Sequence, residues 1–347
     1  MKIKIRKISP VGLVELQIIF VLIERFLVQT MGMPGSIIYV MDVLNIWLFM
    51  YLIKWKKPTR YSGFIIAYVG IAFVSLIVGL INYREWGGNI ASSVIEIRNI
   101  IRFPIFFLSC VEFLNEEQTR KIYKLLTVFF SINTIAILYQ YFTFHPPGVW
   151  MRGDMLNGLF GTETGGNTFV NVILIIVVAY LLSCWINKEK SVISFGIAAG
   201  TSLLIAALIE LKAFFVEIII IYGFYLIKKR KTKKEIAINV FLVIVAIAIS
   251  VVGLQIMYKE YPWFKGIMSL SGLVKQLSGN GYTGDGDLNR FTGVFTVASK
   301  IFEGDIGQIL FGIGAGNASQ TMILGSRTVF FNFYERTHYN WFSATYM

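Results

Sequence analysis

Apolar runs of roughly twenty residues, separated by short polar connections, fill the first three quarters of the chain. A helix needs about 20 mostly apolar residues to cross a bilayer. Segments at 11–29, 35–53, 62–82, 91–114, 121–144, 165–186, 191–209, 213–227 and 236–257 meet or approach that length. The segment at 213–227 is short, and its junction with the preceding one at Glu210-Leu211-Lys212 reads as a tight hairpin or as a bend in one element. Beyond Tyr258 the pattern changes: glycine-rich polar stretches alternate with short apolar ones such as FTGVFTVASKIF and QILFGIGA. Long connections without structure are uncommon unless they are functional or disordered, and these apolar stretches predict short helices packed on the ends of the spans. The pattern therefore predicts an all-α, polytopic integral membrane helix bundle of about nine to ten spans. It divides into a bundle (1–257), a large loop (258–339) and the start of a further, incomplete apolar segment (340–347).

Composition agrees with lipid as the solvent. The 347 residues are 56% hydrophobic and 15% charged, with a mean hydropathy of +0.66, far from soluble averages of about 45–50% and about 25%. The net charge of +12 does not indicate nucleic acid, because the basic residues lie in short clusters between apolar runs, as orientation signals do. MKIKIRK, 54–60, 115–124, 187–190 and 228–234 hold 19 of the 32 Lys and Arg, and strict alternation puts all five on one side. The excess of Lys and Arg makes that side cytoplasmic, so 258–338 is predicted to lie outside the cytoplasm. MKIKIRK precedes an apolar stretch with no small-residue cleavage site, which predicts a retained first span. Cys110 and Cys184 both fall in apolar runs and read as packing residues.

The other 13 Lys and Arg break the pattern. Arg25, beside Glu24 in the first span, reads as structural, and Arg84 as an interface anchor. The remainder are Arg98, Arg102, Arg152, Lys212, Lys259, Lys265, Lys275, Arg290, Lys300, Arg327 and Arg336. All lie outside or in the outer halves of spans under this topology, so the outer face is cationic against the orientation bias. Arg98 and Arg102, four apart, share a helix face about 6 Å apart along the axis. Charges inside a bilayer cost at least a few kcal/mol and normally face protein or a wet cavity. A salt bridge from Glu96 to one of the two arginines is the structural reading, and it leaves a second cation. Lys212, between Glu210 and Glu217, sits at a turn from which a lysine can snorkel. Glu15 and Asp42 are expected to pair with cations of neighbouring helices.

The histidines are His145 and His338. His145 in FHPPG reads as a loop residue, whereas His338 in ERTHYNWF, beside Arg336, is a candidate base because its proton moves near neutral pH. No HExxH or paired-Cys pattern suggests a metal, and Asp285 and Asp287 in TGDGDLN do not fit EF-hand spacing. GIGAG (312–316) lacks a surrounding βαβ unit and reads as a close-packed turn. Arginine forks bind phosphate bidentately, and cations near a leaving diphosphate stabilise its developing charge. Outside the cytoplasm, the phosphorylated substrates at hand are lipid carriers.

Four stretches carry a resemblance: GTETGGNTFVNVILII (161–176), IELKAFFVEIIII (209–221), DLNRFTGVFTVASKIFEGDIGQILFGIGAGN (287–317) and THYNWF (337–342). Together they resemble the bacterial O-antigen polymerase and O-antigen ligase superfamily of membrane glycosyltransferases. The resemblance implies a cofactor- and metal-independent polymerase of a surface polysaccharide (O-antigen, capsule or exopolysaccharide) in the inner membrane. It would transfer a polyprenyl-diphosphate-linked glycan onto the nonreducing-end hydroxyl of another lipid-linked repeat. Implied partners are that lipid-linked oligosaccharide, the bilayer, and the flippase and chain-length regulator of the same pathway. Carried onto this sequence, His338 and Arg290 would be catalytic. Lys212 would bind diphosphate or glycan with them, and the outward cation excess adds Arg98, Arg102, Arg327, Arg336 and Arg152, with Asn289, to the diphosphate- or glycan-binding residues. Lys212 stands where the family has arginine, which loses the bidentate fork. The family also continues with one or two more helices beyond the position of Met347, which predicts a shortened chain. The rival readings are a ligase that transfers to a lipid or protein acceptor and a flippase for the same substrate. The absence of an internal repeat and the one-sided polar mass argue against the flippase.

Overall fold

A computed structural model describes residues 8–54, 61–86, 89–145, 152–163 and 165–228. Farther on it describes 244, 247–248, 251–253, 255–259, 261–262, 295, 298–299, 302–317, 320–321 and 326–327. Eight long helices occupy the positions expected of the first eight spans: α1 (Pro10–Gln29), α2 (Tyr39–Lys54), α3 (Ser62–Asn82), α4 (Ile90–Phe113), α5 (Glu116–Thr143), α6 (Asn167–Ile186), α7 (Val192–Leu208) and α8 (Lys212–Lys228). The ninth expected span is helical where it is described, at 244, 247–248, 251–253 and 255–257. A six-residue helix, α9 (Ile306–Phe311), an antiparallel pair of two-residue strands, β1 (Gln320–Thr321) and β2 (Ser326–Arg327), and short 3-10 turns are also described. The remainder of the 258–339 loop and all of 340–347 lie outside the described residues.

Among the described residues, four helices are long and apolar enough to cross a membrane: Gly35–Lys54, Gly63–Asn82, Glu116–Thr143 and Asn167–Ile186. Among the other expected spans, α7 and α8 have 17 residues each, while α1 and α4 carry several charged side chains. Large apolar side chains such as Ile66, Ile71 and Ile81 on α3 and Phe142 on α5 stand exposed. Apolar side chains exposed to this extent are an aggregation hazard in water and an ordinary solvent face in lipid. The protein is a multi-pass membrane protein by this reading of its helices.

Local chemistry sets the helix ends. Ser9 caps α1, accepting the Gly12 N–H at 3.1 Å with Pro10 in the first turn, a position where proline lacks nothing the helix needs. α5 begins at Glu116, five residues before the apolar pattern starts. Asn115 and Gln118 form a reciprocal capping box there, satisfying two orphan N–H groups. Glu116–Arg120 at 3.0 Å and Glu117–Lys121 at 2.8 Å support the polar first turns.

The chain folds as two compact units: 1–44 with 113–265, and 45–112 with 266–347. In the first unit α6 packs against α5, α7 and α8, and α1 packs on α5. Its core is formed by Leu13 and Val14 of α1, Ile137 of α5, Leu174 and Val177 of α6, Ile205 and Ala206 of α7, and Phe214 of α8. Arg120 at the start of α5 also pairs with Glu189 at 2.8 Å, so the 115–124 and 187–190 connections share one end of this unit, as alternation requires. In the second unit the FGIGAGN turn lies against α3 and α4. Ala315 donates its N–H to the Ser75 carbonyl at 2.9 Å, and the buried Asn317 amide donates to the Gly79 carbonyl at 3.1 Å. At φ +85° Gly314 touches the Gly79 backbone so closely that a Cβ would overlap it. Gly314 and Gly316, the latter against the Ser93 backbone, therefore serve close packing, as the sequence suggested for this turn.

Candidate functional site

At the end of the first unit opposite the Arg120–Glu189 pair, residues 152–163 and 165–166 fold back across the helix termini. The turns Gly153–Met155 and Gly158–Phe160 are 3-10 helical, and amide side chains from three helices hold them. Gln140 of α5 exchanges two hydrogen bonds with Gly158, donating to its carbonyl at 3.0 Å and accepting its N–H at 2.7 Å. Asn133 of α5 accepts the Leu159 N–H at 2.6 Å, and Gln29 at the end of α1 accepts the Thr162 N–H at 2.9 Å. The fully buried Asn157 donates to the carbonyls of Asp154 and Glu163. Phe160, 2% exposed, packs between Phe129 and Phe169. Backbone polar groups away from water need such partners, and this polar sequence supplies them from side chains.

Under this segment lies a charged cluster. Asn167, the first residue of α6, donates to Asp154 Oδ1 at 2.7 Å and to the Ile209 carbonyl at 3.2 Å. One turn on, Asn171 donates to Glu217 Oε2 on α8 at 2.9 Å. The α7–α8 junction is a tight hairpin. Leu211 donates its N–H to Ala206 and Ile209 donates to Ile205, and Glu210 between them sits at φ +62°. This is a Schellman helix end, in which the residue of positive φ is usually glycine. Here it is a glutamate, 8% exposed.

The Glu210 side chain lies against Gly153, where any Cβ would overlap it. Its Oε1 is buried without a hydrogen-bond partner among the described residues. Burial, reinforced by the neighbouring Asp154 carboxylate, pushes the Glu210 carboxyl up to about 8. The Lys212 ammonium and a hydrogen bond from the Gly153 backbone oppose that rise. A desolvated carboxyl disfavours its charged form, so this group takes up and releases a proton near neutral pH. Strongly shifted groups held in unusual backbone conformations mark functional-site candidates.

The residues singled out from the sequence distribute unevenly. Lys212 lies within electrostatic reach of Glu210. Arg152 precedes Gly153, but its guanidinium is committed to α5: it donates to the Tyr141 carbonyl and stacks 4.8 Å from the Tyr141 ring centroid. Arg25, read as structural, pairs with Glu163 at 3.5 Å and lies 4.5 Å from the Phe169 ring centroid. It anchors the glycine-rich segment to α1. Glu15 on α1 lies within reach of the Lys121 charge on α5. In the second unit, Arg98 donates to Asn99 Oδ1 at 3.0 Å and lies within electrostatic reach of Glu96, while Arg102 follows one turn later on α4. Arg327 belongs to β2. Asn289, Arg290, Arg336 and His338 lie outside the described residues.

Asp154 was not a candidate from sequence, and Glu210 was noted only as a flank of Lys212. A visible signal did exist: IELK ends one helix and starts another with no glycine at the turn, which forces a non-glycine residue into a left-handed conformation. No family model matches the chain, and neither the characterised proteins nor the solved structures compared with it show a significant similarity.

Proposed function

We propose that the protein is a membrane glycosyltransferase that lengthens a surface polysaccharide from polyprenyl-diphosphate-linked repeats. The cluster of Glu210, Asp154 and Lys212 at the helix ends carries this reading. A polar, titratable site at the rim of an apolar bundle suits a substrate whose tail lies in lipid and whose head group is charged. With Glu210 largely protonated at neutral pH, the cluster has no net negative charge to repel a diphosphate. Lys212 is the cation for the diphosphate there, and the amide-held segment beside it binds sugar.

The wider assignments follow the sequence. In this reading the bundle has about nine to ten spans in the bacterial inner membrane, with the N-terminus cytoplasmic and the 258–338 loop outside. Arg98, Arg102, Arg290, Arg327, Arg336 and Asn289 take diphosphate- or glycan-binding roles, Arg152 the role of anchoring the sugar-binding segment, and His338 or a nearby carboxylate takes the proton of the acceptor hydroxyl. The transfer is inverting and independent of metal. Cations facing a departing diphosphate lower the barrier by meeting charge where it develops.

Surface glycan from a deletion strain tests the reading. Loss of the protein should leave single repeats where the parent makes long chains, and the wild-type gene should restore length. Full-length chains in the deletion strain would contradict polymerisation. Full-length chains that remain on the carrier and never reach their final acceptor would point to the ligase instead.

A further inference from the structure

We propose that Glu210 is the proton acceptor of the transfer reaction, with Asp154 and Lys212 as its positioning partners. The proposal rests on the polymerase reading and deepens it.

Three observations meet at this residue. Its backbone occupies the left-handed position of a helix end at φ +62°, where glycine would serve the turn without strain. Its side chain is more than nine-tenths buried, and Oε1 has no hydrogen-bond partner among the described residues. Its charged neighbours come from both flanking elements: Asp154 on the incoming segment and Lys212 on α8. α6 adds an uncharged amide, Asn167, which ties Asp154 to the carbonyl just before Glu210. The turn itself needs no carboxylate. Both the backbone and the side chain are in environments that oppose a glutamate, and a purely structural position would favour glycine.

The chemistry needs a base here. A hydroxyl of the acceptor sugar attacks the anomeric carbon of the donor, and a new C–O bond forms as the C–O bond to the diphosphate breaks. The bonding pair leaves with the diphosphate, and the hydroxyl proton passes to Glu210 and then to solvent. A carboxylate whose proton affinity is raised toward neutral pH is a stronger base than an exposed one and is still ionised often enough to act. Asp154 raises that affinity, and Lys212 limits the rise.

The test uses purified protein in liposomes, supplied with the lipid-linked repeats extracted from cells lacking it, and measures chain-lengthening rate against pH. E210G removes the carboxylate while giving the turn its preferred residue, and E210Q keeps the side-chain volume. Both should fold, as judged by thermal unfolding and size-exclusion profile, and lose about 10²–10⁴-fold in rate. E210D should retain partial activity with a shifted pH midpoint. Wild-type rates in E210G and E210Q, or an E210D profile with the wild-type midpoint, would overturn the assignment while leaving the polymerase reading intact. No lengthening by the wild-type protein on these repeats would remove both.

Discussion

At φ +62° Glu210 holds a conformation that costs a non-glycine residue roughly 1 kcal/mol or more, and it holds its carboxyl away from water. The second effect makes stability depend on pH. The folded protein binds this proton up to about pH 8, whereas an unfolded glutamate releases it near its ordinary value of about 4.3. The raised folded value means that the stabilisation is fully present below pH 4. It is lost progressively as pH rises toward 8, by an amount on the order of a few kcal/mol. E210Q should remove that slope. Thermal unfolding in detergent at pH 5 and pH 9 measures it: the wild type should lose more stability than the variant across the interval, and parallel losses would contradict the buried, protonated state. Gly153 belongs to the same contact, since a Cβ there would occupy the space of the glutamate side chain.

Among the elements, the 152–166 segment depends on amides rather than on a hydrophobic core of its own. Gln140 satisfies both backbone groups of the buried Gly158. Gln140→Leu should leave that N–H unpaired, at about 1–3 kcal/mol, while the carbonyl keeps the Gly161 N–H at 3.1 Å. Amide hydrogen exchange reads the effect directly: protection at Gly158 and Leu159 should fall while protection in the middle of α6 stays as in the wild type. Unchanged protection at both amides would show that the clasp does not hold the segment. The helices themselves were legible from the sequence because a run of twenty apolar residues has few alternatives in lipid. The start of α5 was not, because its first turns are polar. Asn115, Gln118 and the Glu116–Arg120 and Glu117–Lys121 pairs extend it where hydropathy sees only a connection. The site was legible at Lys212 and in GTETGGN. Its carboxylates were not, because Asp154 and Glu210 are 56 positions apart in sequence and meet only through the fold-back of the segment onto the α7–α8 turn. Arg152, expected from the sequence to bind diphosphate or glycan, donates to the Tyr141 carbonyl near the end of α5.

For the whole molecule, charge pattern and contacts agree on which connections share an end of the first unit. Arg120–Glu189 joins the 115–124 and 187–190 connections. Gln29, Glu163, Asn167 and Ile209 are drawn together by the 152–166 segment at the other end. Which end faces the cytoplasm is the hinge of the functional reading, because lipid-linked repeats ready for polymerisation sit in the outer leaflet. Single cysteines placed at Thr162 and at Lys188, after replacement of Cys110 and Cys184, report it through a membrane-impermeant maleimide applied to intact spheroplasts. The account predicts that the Thr162 position labels in intact spheroplasts and that the Lys188 position labels only after lysis. Labelling at Lys188 with protection at Thr162 would put the Glu210 site in the cytosol and contradict the proposed function.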